Sequence, residues 1–111
     1  MDARKLEVPR FDVYANPDKT ESKLIPFFLD VQSDQVKGVQ TRVVVPLWKS
    51  GLLPARVENL NPEFELAGQR VVMDTPSLGA VPVSALRRTV ATLAPQHLMI
   101  QDALETLFGS Y

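Results

Sequence analysis

Apolar positions in this chain recur with two different periods, and the change from one to the other divides the sequence. Residues 10–15, RFDVYA, put Phe11 and Val13 on one side and Asp12 and Tyr14 on the other, the alternation of a half-buried strand. ANPDKTESK then reads as a polar turn. The apolar run from Leu24 to Val31 reads as a second strand, with Pro26 near its start, where a missing backbone donor is tolerated. TRVVVPL, residues 41–47, is rich in β-branched side chains that suit a pleated surface. EFELAGQRVVMD, residues 63–74, reads as two short strands joined at Ala67-Gly68, because glycine supplies the positive φ of a tight turn. TPSLG is a further turn and AVPVSAL a further strand.

From Pro95 onward the period becomes helical. Ile100, Ala103, Leu104, Leu107 and Phe108 form one apolar stripe, opened near its first turn by Pro95 and closed by Gly109. In SALRRTVATL, Leu86, Val90 and Leu93 also match helical spacing and suggest a short turn or helix ahead of the terminal one. Proline at 46, 54, 62, 76, 82 and 95 keeps most other segments to strand length. The expected fold is therefore mainly β: five to seven short strands and a C-terminal α-helix, as a small twisted sheet or partial barrel capped by that helix.

The size, 111 residues with 45% hydrophobic content, suits one domain with a self-sufficient core. Twelve basic and thirteen acidic residues leave a formal charge of -1, which offers no broad positive field for a nucleic-acid backbone, so direct nucleic-acid binding is not expected. The absence of cysteine removes disulfide frameworks and thiolate metal sites and agrees with a reducing compartment. MDARKLEVPR lacks the apolar core of a signal peptide, and no stretch approaches the roughly 18 apolar residues of a membrane span. A soluble cytoplasmic protein is expected.

Catalytic motifs do not stand out. There is no phosphate-cradling glycine loop, no HExxH and no nucleophile elbow, and neither a cofactor nor a metal is expected. His97, the single histidine, falls in the first turn of the final helix and reads as a surface residue in preference to an acid–base group. Asp30 is expected to point away from the core and Asp34 to lie in a turn; together they make no carboxylate pair. Arg87-Arg88 reads as a solvated face more than a phosphate clamp, and Trp48 as a core or interface aromatic more than a recognition residue. By elimination the chain binds instead of catalysing.

One feature resists a packing explanation: the apolar run FFLDV ends in Gln32, Ser33, Asp34 and Gln35, none of which gains from a core. FFLDVQSD, RVVVPL and AVPVSAL, with RFDVY before them and IQDALETLF after, occur in the order and approximate spacing of the CcdB toxins of toxin–antitoxin modules, and the chain resembles that family from about Arg10 to its end. Residues 1–9 then form an N-terminal extension and 10–111 the toxin domain. The resemblance implies a five-stranded antiparallel sheet with a smaller second sheet, related to SH3-like barrels and to the MazF toxins, with a long C-terminal helix. It also implies a symmetric homodimer that inserts between the arms of the DNA gyrase A subunit and traps the enzyme with cleaved DNA. A CcdA-like antitoxin, folding onto the toxin, would neutralise it.

By the same resemblance, Ser33, Gln35 and Val36 of the polar bend are gyrase contacts, and Glu105, Gly109, Ser110 and Tyr111 at the helix end form the other half of the surface. Phe11 occupies a contact position too, although its place in an alternating strand equally suits core packing. Leu107 and Phe108 pack the dimer or the core. A two-fold axis would present the doubled epitope to a target that is itself two-fold. Two departures from the best-known gyrase poison bear on this: that protein ends in Trp-Gly-Ile where this chain has Gly109-Ser110-Tyr111, and it has an aliphatic residue in place of Gln35. Tyr111 then either restores the displaced aromatic anchor or is a frayed end. The alternatives are an endoribonuclease like the MazF toxins, which calls for a basic groove with a general acid and base, and a non-toxic homologue that binds only antitoxin or repressor complexes.

Overall fold

The computed structural model describes residues 10–109. Seven strands, β1 (Asp12–Ala15), β2 (Phe27–Asp30), β3 (Thr41–Lys49), β4 (Glu63–Leu66), β5 (Gln69–Met73), β6 (Gly79–Pro82) and β7 (Thr89–Thr92), precede one helix, α1 (His97–Phe108). The strands form a single antiparallel sheet in the order β4-β5-β3-β2-β1-β7, with β6 added beside β3. The fold is thus the expected curled β half-barrel with a C-terminal helix. The strand count differs from the expected five plus a small sheet, because all seven strands join through β3.

β3 is long enough to serve three neighbours. Residues Val44 to Leu47 pair with β2 along one edge. On the other edge Leu47 to Lys49 pair with β5, and Thr41 to Val44 pair with β6. Between those two partners lies Pro46, whose carbonyl accepts the Asp74 N–H at 2.9 Å. In an extended strand a residue's carbonyl and amide face the same edge, so the amide hydrogen that Pro46 lacks would point into this fork, where no strand residue needs it.

Alternation builds the core. Val13, Leu29, Val45, Leu47, Val71 and Met73 point to one face, where Ile100 and Ala103 of α1 pack on them. Phe11, Phe27, Phe64 and Leu93 extend the same cluster. The Ala67-Gly68 turn between β4 and β5 has φ of +50° and +78°, the two left-handed residues of a type I′ hairpin. α1 ends at Gly109, where φ is +87° and the N–H bonds to the Glu105 carbonyl at 2.7 Å.

The helical spacing of Leu86, Val90 and Leu93 is not realised as a helix. Val83–Ala85 form one 3-10 turn, and Thr89–Thr92 become β7, pairing with the edge of β1. Thr89, Val90 and Thr92 are β-branched and favour the strand once an edge is available. Val90 and Ala91 still pack against the core, and Leu93 is buried.

Candidate partner-binding surface

The polar bend after β2 is held from inside the protein. Asp30, expected to point away from the core, does lie off the main apolar cluster, but it is fully buried. Its carboxylate receives both arms of the Arg42 guanidinium, at 2.8 and 2.9 Å, a bidentate charge-assisted pair. Asp30 also accepts the Gln32 N–H at 3.0 Å, and Arg42 donates to the Gln32 carbonyl at 3.2 Å. The Gln32 side-chain oxygen accepts the Val43 N–H at 2.9 Å, which fastens the bend to β3. Two further bonds shape the turn itself, from Gln35 N–H to the Ser33 hydroxyl and from Val36 N–H to the Ser33 carbonyl, both at 3.1 Å. The side chains of Gln32 and Ser33 are therefore ones the turn needs, and the turn leaves Gln35 and Val36 exposed.

Carboxylates crowd this end of the sheet. Burial, with smaller contributions from Asp30 and Asp34, raises the pKa of Asp12 despite a hydrogen bond from Thr92. Burial likewise outweighs the Arg42 pairing and raises Asp30, and it raises the Tyr14 hydroxyl, with the neighbouring Asp12 and Asp30 adding to the effect.

Arg10 connects the bend to the helix. Its N–H donates to the Asp34 carboxylate and its Nε to the Val31 carbonyl, each at 3.0 Å. Its guanidinium lies 4.6 Å from the centre of the Phe11 ring, within cation–π range. The same side chain lines a shallow hollow with Gln101, Leu104 and Glu105 of α1. Phe108 follows Leu104 by one helical turn, so the two lie on the same flank of α1.

Phe11 belongs to the core, 7% exposed, and its ring stacks on His97 with centroids 6.4 Å apart. Its φ of +76° is unusual for a bulky residue; its N–H bonds to the Asp30 carbonyl at 2.7 Å and its carbonyl accepts the Leu93 N–H at 2.9 Å, which fix it there. Glu105 and Gly109 are exposed, Leu107 is half-buried, and Phe108 is 68% exposed, so Phe108 does not pack the core of its own chain. Ser110 and Tyr111 lie outside the described residues. Trp48 is half-buried, with its indole N–H on Asp74 at 3.0 Å. The sequence reading missed Arg10 and the buried role of Arg42. The available signal for the second was a charge of each sign inside apolar runs, at Asp30 and Arg42.

Comparison with family models adds the decisive observation: the CcdB protein family model matches residues 10–109, nearly all of the chain. The chain belongs to the CcdB family. Membership makes it a toxin of a toxin–antitoxin system. In this CcdB-family chain the bend and α1 flank the same arginine, and among the described residues no helix is long and apolar enough to cross a membrane and no group of three or more His, Cys, Asp or Glu could hold a metal ion.

Proposed function

We propose that this toxin acts by binding, as a homodimer, to the A subunit of DNA gyrase and trapping the gyrase–DNA cleavage complex, without catalysing a reaction of its own, and that a CcdA-like antitoxin neutralises it in the cytoplasm. The toxin unit is residues 10–111, with residues 1–9 as an extension. The observation that carries this reading is the position of Arg10, bonded to the bend through Val31 and Asp34 while lining a hollow with Glu105. Ser33, Gln35 and Val36 make one half of the gyrase surface, and Glu105, Gly109, Ser110 and Tyr111 the other. Phe11, buried beneath, supports the Arg10 guanidinium. The exposed ring of Phe108, with Leu107 beside it, packs against the second copy of the chain.

The test is a gyrase cleavage assay with the purified protein. Trapped, protein-linked DNA breaks that disappear on adding the cognate antitoxin support the reading. Unaltered supercoiling at saturating toxin refutes it.

A further inference from the structure

We propose that the hollow at the far end of β1 from the bend is a second binding site, which takes an acidic segment of a partner polypeptide. Three cationic side chains, Lys19, Arg87 and Arg88, line it together with Asn16, Ser84 and Ala85, and no carboxylate does. The cations are exposed and form no ion pair with any described residue. Three other arginines are matched: Arg42 with Asp30, and Arg56 and Arg70 with Glu63. In a chain of net charge -1, three cations around one hollow, unmatched among the described residues, form a locally positive patch.

The walls are built rather than loose. Ala15 N–H bonds to the Arg88 carbonyl at 2.9 Å, and Arg87 Nε donates to the Ser84 carbonyl at 3.2 Å. Asn16 is buried and braces the opposite side through its amide, which donates to Glu21 at 2.9 Å and to the Ile25 carbonyl at 2.8 Å. The nearest carboxylates in sequence are already engaged: Asp18 accepts the Thr20 and Glu21 amides at 2.9 Å, and Glu21 accepts from Asn16.

Two adjacent guanidinium forks suit carboxylates, and Ala15 and Ala85 give the aliphatic parts of a peptide an apolar wall. A nucleic-acid strand calls for a longer basic track than three side chains. The bend meets the start of β1 through Arg10, whereas the hollow begins at its last residue, Ala15, about 10 Å away by strand geometry. The hollow shares no lining residue with the bend, so this site stands or falls separately from the gyrase reading.

The experiment titrates the purified full chain with a fluorescent eight-residue peptide of alternating glutamate and alanine, following both anisotropy and backbone amide shifts. Shifts confined to residues 15–19 and 84–88, binding that weakens with salt, and a loss of roughly tenfold or more in the Arg87→Gln/Arg88→Gln variant, whose circular dichroism and melting are unchanged, support the site. Shifts elsewhere, an unaffected variant, or tighter occupation of the hollow by inorganic phosphate or a single-stranded oligonucleotide than by the peptide would overturn it.

Discussion

Arg42 reaches from the start of β3 to Asp30 at the end of β2 and closes a two-bond clamp, at 2.8 and 2.9 Å, around a carboxylate that water does not reach. Removing only the cation strands a buried charge, so Arg42→Met should destabilise the protein by about 3–5 kcal/mol in urea unfolding. Adding Asp30→Leu should recover most of the loss, the remainder reflecting the Gln32 N–H that Asp30 now satisfies. A single-variant loss below about 1 kcal/mol would mean that the pair is solvated and that the bend is not held from within.

Asp12 provides a pH signature. Its carboxyl titrates above the ordinary 3.8 because burial disfavours the charge. The folded state therefore holds this proton more tightly than the unfolded chain, and Asp30 acts in the same direction. Their contribution to stability is fully present below the unfolded value and is lost as pH rises through the folded one. Asp12→Asn retains an acceptor for Thr92 and removes the titration. Its stability measured from pH 4 upward should fall less steeply than that of the parent protein; parallel curves would contradict the assignment.

Phe108 tests the dimer. With 68% of its surface exposed, Phe108→Ser should change the stability of a single chain by no more than about 0.5 kcal/mol. In sedimentation equilibrium it should shift the protein from dimer toward monomer. An unchanged mass at low micromolar concentration would remove Phe108 from the interface.

Arg10→Ala keeps the backbone bond to Asp34 and deletes the side-chain bond to Val31 and the wall of the hollow beside Glu105. Gyrase A binding, measured by calorimetry, should weaken on the order of tenfold, with the melting temperature little altered. Equal affinities would disconnect the bend from the helix end.

Gly109 caps α1 with φ of +87° and ψ of 153°, a region open almost solely to glycine, although a Cβ there would meet nothing within 4 Å. Gly109→Ala should therefore cost about 1–3 kcal/mol through the backbone alone. Faster amide exchange confined to the last turn of α1 would report it, and unaltered exchange would show that the end accommodates a side chain.

Much of this fold was legible locally. The short strand after Phe11, the Ala67-Gly68 hairpin and the stripe from Ile100 to Leu104 each depend on neighbours a few residues away, and sequence pattern carries such information, although Tyr14, which the alternation set opposite Phe11 and Val13, is buried as well. β7 was not legible, because Leu86, Val90 and Leu93 satisfy a helix equally well until the edge of β1 decides. The fork at Pro46 is invisible for the same reason: its partners lie some 30 residues downstream, at Asp74 and Gly79. At the candidate surface, the polar bend was recognisable from Ser33 and Gln35, whereas Arg10 acquires significance only when tertiary structure sets it against both Asp34 and Glu105.

The division of β3's edge at Pro46 also bears on how such toxins can diverge. Residues 50 to 78 run from the end of β3 through β4 and β5, at one edge of the sheet, and return at β6 opposite Val44, so both ends of this segment are anchored to one strand. Insertions at its Ala67-Gly68 tip would lengthen a peripheral hairpin while β1, β2 and α1 kept their places. Such a change would leave Phe64, Leu66, Val71 and Met73 in the core and alter only the outer edge of the sheet.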